Sequence, residues 1–149
     1  MNVKPDTKDA KPVQDSPVEE LRSHHVRPQD MPWDTMRFPG CETKTLMFDP
    51  KSGLATVLMK MAPGATLPDH EHVLIEQTYV MSGSLVDKEG PDAGLVVGPG
   101  EFVWRPTGSR HVAWSPNGGE MIAMFQVPNK FFDKPGQVTD ATGKDWDPA

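Results

Sequence analysis

Short apolar runs broken by glycine and proline organise the middle of this chain. The runs cover residues 43–48, 55–61, 76–81, 84–87, 95–97, 101–105, 111–114 and 121–127. Between them lie DPKSG, APG, MSG, KEGPDAG, GPG, PTG and SPNGG. Runs this short, with turn residues at this spacing, predict an all-β sandwich or barrel. Asn117-Gly118, between the last two runs, is the strongest hairpin signal in the chain. The two ends differ from the middle. Residues 1–15 are polar without periodicity and predict a flexible arm. Ser16, Pro17 and Glu19 supply the cap, first-turn proline and capping-box acid of a helix start. Pro28 and Pro32 keep that helix short. Residues 133–149 are again polar and turn-rich. The expected organisation is an arm with a short helix over 1–30, a single domain over 31–132 and a C-terminal tail over 133–149.

Composition narrows the class. A chain of 149 residues matches one domain of about 100–200 residues. Lys and Arg total 15 against 21 Asp and Glu, a formal charge of −6, with a sequence pI near 5.3. Nucleic acid and anionic membranes need a basic face, so neither is an expected partner. The 13 glycines and 16 prolines exclude a helical bundle, because both residues destabilise helix interiors. The single cysteine, Cys41, forms no intrachain disulfide and asks for no oxidising compartment. The N-terminus has no apolar signal segment, and no run approaches the ~18 apolar residues of a membrane span. A cytoplasmic protein is expected.

The chemistry concentrates in two segments. Gly64 to Gly83 reads GATLPDHEHVLIEQTYVMSG. Pro68 favours extended backbone before it. On a strand, His70, His72 and Glu76 share one face. Two imidazoles and a carboxylate on one face suit a divalent transition metal. Gly100 to Ser115 reads GEFVWRPTGSRHVAWS, in which the PTG turn delivers His111 at the start of a strand as a third imidazole.

Gly64-x5-His70-x-His72-x3-Glu76-x6-Gly83 resembles the first cupin motif at every specified position. Gly100-x5-Pro106-x-Gly108-x2-His111 resembles the second, whose closing Asn is replaced here by Ser115. Residues 84–99 form a short inter-motif loop of the kind found in small single-domain cupins. The resemblance implies a jelly-roll β-barrel holding one metal, with His70, His72 and His111 as ligands and Glu76 as the optional fourth. Trp33, Pro39-Gly40, Lys44, Asp49 and Gly53 are similar to a narrower subgroup. It includes diketone- and hydroxyacetophenone-cleaving dioxygenases and the cupin half of zinc-binding anti-sigma factors. Acetylacetone-cleaving relatives use three histidines on iron. Glu76 therefore has three readings: ligand, hydrogen-bond partner of a ligand histidine, or acid/base.

Other residues carry paired readings. His24 and His25 are adjacent, face no common site and read as an exposed pair. Cys41 reads as a small buried filler. Met59 and Met61 share parity and serve either the core or an apolar pocket. Arg105, just before Pro106, is either a clamp for a substrate oxygen or carboxylate, or half of an ion pair with Glu101, Asp87 or Glu120. Trp104 and Trp114 have the opposite parity to Arg105 and His111 and belong to sheet packing or a dimer face. Tyr79 points away from Glu76 by parity.

The leading expectation is a mononuclear non-haem metal-dependent dioxygenase, with Fe(II) favoured over Zn, Ni or Mn. It would cleave a carbon–carbon bond in a small enolisable carbonyl compound, using dioxygen, with Arg105 and Glu76 assisting. The alternative is a metal- or ligand-sensing module without turnover. A cupin isomerase or plain ligand-binding cupin is the third, and isomerases of the sugar-epimerase type need no metal triad. A homodimer or higher homo-oligomer is expected.

Overall fold

The computed structural model describes residues 21–148. Twelve strands, β1 to β12 in chain order, form two six-stranded antiparallel sheets. The first sheet runs in the order β1 (Asp34–Thr35), β2 (Cys41–Phe48), β3 (Leu54–Met61), β10 (Gly119–Gln126), β5 (Glu76–Gly83), β8 (Phe102–Arg105). The second runs β12 (Gln137–Thr139), β11 (Lys130–Lys134), β4 (Ala65–Glu71), β9 (Arg110–Ser115), β6 (Leu85–Glu89), β7 (Val96–Val97). The two sheets give the all-β class expected from the sequence. The expected helix start at Ser16 to Glu19 and the arm over 1–15 lie outside the described residues. A 3-10 turn at Pro28–Asp30 precedes the sheets, and among the described residues no helix is long and apolar enough to cross a membrane.

Each predicted run overlaps a strand, and on some of them alternation buries one face. On β9, His111, Ala113 and Ser115 are buried while the residues between them are not. The core gathers Met61, Val80 and Met121 from the first sheet with Leu67, Leu85 and Phe131 from the second. Phe38 packs on Phe131 with ring centroids 4.8 Å apart. Burying side chains of this size contributes about 1.5–3 kcal/mol each.

One expectation changes. Asn117-Gly118 does form a turn, with the Gly118 N–H donating to the Ser115 carbonyl at 3.2 Å and Gly118 at φ 74. It does not close a hairpin: β9 belongs to the second sheet and β10 to the first. The dipeptide encodes only the chain reversal, and pairing is decided by distant strands. Gly83, the end of the first motif, adjoins this crossing. Its φ is 69, and a Cβ there would collide with the Gly118 carbonyl.

The polar C-terminal segment, expected as a tail over 133–149, adds to the second sheet. β11 extends to Lys134, and β12 pairs with it through Phe131 and Thr139. Arg37 holds this end down. Its guanidinium donates to both Asp133 carboxylate oxygens, to Thr139 Oγ1 at 3.0 Å and to the Asp140 carbonyl at 3.2 Å. Hydrophobic patterning misses such a segment because side-chain polar bonds, not an apolar face, fasten much of it.

Candidate metal centre

Three histidines meet between the sheets, and the local sequence explains how. On β4 and β9, His70 and His111 are register partners, directly opposite each other. A register shift between Leu67 and His70 separates them from the regular ladder below, and Pro68, with no N–H to donate, lies inside that shift. His72 stands just beyond β4. Its N–H donates to the Ser109 carbonyl at 2.9 Å, and its carbonyl accepts from the Gly108 N–H at 2.8 Å. The PTG turn of the second motif therefore clamps the last histidine of the first. Glu76 arrives differently from the parity argument. The chain turns at 73–75, and Glu76 opens β5 in the opposite sheet.

The imidazoles are buried, at 2%, 0% and 5% exposure for His70, His72 and His111. One ligand atom from each lies within 4.8 Å of the others. The outer nitrogens have separate neighbours. His70 Nδ1 lies 2.8 Å from the Pro68 carbonyl, and His111 Nδ1 lies 3.1 Å from Asp87 Oδ1. His72 Nδ1 lies 3.2 Å from Glu76 Oε2, although not aligned as a hydrogen bond. A carbonyl or carboxylate neighbour places the proton on Nδ1 and leaves Nε2 as the lone-pair donor.

His72 Nε2 and His111 Nε2 lie 3.0 Å apart, a contact in which the donor depends on the tautomer. A cation beside both atoms would draw on the two nitrogen lone pairs at once. Nitrogens each about 2.0–2.1 Å from a shared ion and at right angles stand about 2.9 Å apart. The donor set therefore fits a divalent transition metal.

Electrostatics keeps the donors available. Burial, with His111 and His72 alongside, drives His70 down to about 3. Burial also lowers His111, against the opposing pull of Asp87. Neutral imidazoles are the metal-binding form. Burial alone would raise the Glu76 carboxyl, but His72, His70 and Asn129 bring it down to about 2. Asp87 is likewise brought to about 2, burial being outweighed by His111 and Arg105.

Glu76 stands beside the three-histidine set, its Oε2 3.2 Å from His72 Nδ1. It also receives Asn129 Nδ2 at 3.3 Å and Thr78 Oγ1 at 3.4 Å. Arg105 is paired with Asp87 through two bonds, Nη1 to Oδ2 at 2.8 Å and Nη2 to Oδ1 at 2.6 Å. A cavity of about 250 Å³ adjoins His70 and His111. Met59, Val57, Leu67, Phe125 and Phe131 supply apolar wall, and Glu76 and Arg105 line it too.

The remaining candidates fall outside the cluster. His24 and His25 are exposed. Cys41 is buried in the core, where burial pushes its thiol up to about 11. Trp104 and Tyr79 are exposed, and the Lys88 ammonium stands 5.5 Å from the half-buried Trp114 ring. Met59 lines the cavity while Met61 is core. Sequence reasoning weighed Asp87 only as one of three partners for Arg105, and it overlooked Asn129 and Phe131. A charge two positions after Leu85, on the same strand face, was the available signal for Asp87. Phe131, whose ring stacks on His70 at 5.2 Å, sits in a strand that the apolar-run pattern did not mark.

Residues 21–130 match the family model described as the ChrR cupin-like domain. The chain belongs to this cupin family. No curated protein matches it in sequence. Among solved structures, an acetylacetone dioxygenase from Acinetobacter johnsonii superposes with TM-score 0.72 at 18% identity, covering 82% of this chain and 86% of that one. A cupin-like protein of unknown function from Ralstonia eutropha JMP134 gives 0.60 at 30% identity, over 68% and 64%. Rhodobacter sphaeroides SigE in complex with the anti-sigma ChrR gives 0.55 at 20%, over 67% and 51%. The first and last likenesses speak to the cupin fold alone.

Proposed function

We propose that this cupin is a mononuclear non-haem dioxygenase, loaded with Fe(II), that cleaves a carbon–carbon bond in a small enolisable carbonyl compound of the β-diketone or hydroxyketone type. The observation that carries the reading is the cluster of three buried imidazoles, with His72 Nε2 and His111 Nε2 3.0 Å apart, beside a largely apolar cavity of about 250 Å³. His70, His72 and His111 hold the metal. When bound, the metal supplies Lewis acidity and a template for oxygen ligands.

The other residues act on what enters. Met59, Val57, Leu67 and Phe125 exclude water and receive the apolar body of the substrate. Glu76 reaches toward His72 Nδ1 from the cavity wall. Held well below neutral pH, it accepts a hydrogen bond from an enol hydroxyl rather than storing a proton. Both terminal nitrogens of Arg105 are engaged with Asp87, so its work is directed at Asp87.

Oxygen uptake by anaerobically Fe(II)-loaded protein tests this reading with a panel of β-diketones and hydroxyketones. Uptake matched by cleavage products, and lost in His111→Ala, is the expected result. Fully metal-loaded protein that consumes no oxygen with any panel member contradicts it. The family match to the ChrR cupin-like domain supports a second reading, a metal-sensing module. That reading expects zinc held tightly against chelators and no oxygen uptake.

A further inference from the structure

Arg105 and Asp87 form a buried ion pair between the sheets, since β8 belongs to the first sheet and β6 to the second. Arg105 is 5% exposed and Asp87 2%. The guanidinium takes both carboxylate oxygens, and one of them, Oδ1, also faces His111 Nδ1 at 3.1 Å. A buried ion pair is an expensive way to fill a core. Apolar side chains of similar volume are often neutral or stabilising in its place. The third contact, to His111, is what an apolar replacement would not reproduce.

We propose that the Asp87–Arg105 pair is a positioning device for the metal centre: Arg105 fixes the plane of the Asp87 carboxylate, and Asp87 fixes the ring orientation and tautomer of His111. The two residues act through His111 and touch no substrate. The fork geometry matters because a planar guanidinium locks both oxygens, whereas a lysine ammonium is a point charge about which a carboxylate can pivot. An acceptor behind a ligand imidazole holds its donor nitrogen on target and raises its basicity. His70 has a backbone carbonyl in that place and His72 the cavity-wall carboxylate of Glu76. His111 alone relies on a carboxylate that the opposite sheet holds through an arginine.

This inference rests on the reading that the three histidines hold a metal, and its test separates the two. Co(II) titration followed by visible absorption, with affinity taken from chelator competition, is run on the full chain and on variants. Asp87→Asn is expected to weaken Co(II) binding roughly 10–100-fold. Arg105→Lys is expected to weaken it less, and to alter the d–d spectrum that reports ligand geometry. Because Asp87→Asn strands a buried guanidinium and can unfold the chain, the double variant D87L/R105M removes the pair while keeping an apolar packing. A folded D87L/R105M protein with the same loss of Co(II) affinity supports the positioning role, since a purely structural pair would leave binding unchanged. Wild-type affinity and spectrum in folded D87L/R105M overturn the inference while leaving the metal site intact. A wild-type chain that binds no Co(II), like His70→Ala, overturns the metal reading and this inference with it.

Discussion

The two sheets contribute unlike things to one site. The second sheet carries His70 and His111 directly opposite each other on β4 and β9, with His72 just past the end of β4. The first sheet carries none of the three histidines. Instead it places Glu76 and Arg105 opposite each other on β5 and β8, and each reaches across. Glu76 meets His72, and Arg105 meets the Asp87 that faces His111. One sheet presents the donors and the other braces them. If that division is right, damage to the donors abolishes binding, while damage to the braces grades it.

The sharpest way to break the comparison is at a donor. His111→Ala is expected to leave no stoichiometric metal after dialysis, read by mass spectrometry, because two imidazoles do not replace three at a buried site. Retained metal would remove His111 from the set. Phe131→Ala strikes the support of a donor in the same sheet. Phe131 is 4% exposed, stacks on His70 and packs on Phe38, so the variant should lose about 3–5 kcal/mol in chemical denaturation. At a brace, Glu76→Gln should bind Zn(II) about 10-fold more weakly by chelator competition while folding normally. A loss as complete as that of His111→Ala would make Glu76 a ligand and dissolve the distinction.

Acid sharpens the comparison in time order. Folded His70 titrates near 3, while in the unfolded chain it titrates near 6.5. Between these values the unfolded state holds the extra proton, so metal-free stability is full above about 6.5 and falls as pH drops toward 3. His111, also lowered, adds in the same direction. The braces Glu76 and Asp87 contribute only lower, as pH passes below the ordinary carboxylate range toward about 2. Thermal melting of the metal-free protein should therefore begin to decline near pH 6.5, before any carboxylate titrates. In His70→Ala that first decline should shrink.

The same division explains what could be read from the chain. Donor histidines lie within a few residues of Pro68 and of the PTG turn, so local spacing exposes them. Strands such as β9 and β10 were visible because alternation buries one face. Braces are non-local: Asp87 and Arg105 are 18 residues apart and meet only when the sheets face each other. Glu76 reaches the cavity from the other sheet, because the turn at 73–75 breaks the single strand that the parity argument assumes. Asn117-Gly118 misled for a related cause, because a turn dipeptide specifies reversal but not partner strands. β12 was missed since Thr139 is buried under Arg37 and its polar partners, a context absent from any window of sequence.

The most direct test of the three-histidine centre is the metal content per chain of protein purified untagged without chelator, measured by mass spectrometry beside His111→Ala. The account predicts close to one transition-metal ion per wild-type chain, or its uptake on anaerobic addition of Fe(II), and none in the variant. A wild-type chain that stays metal-free after Fe(II) addition, or a variant that loads equally, would contradict it.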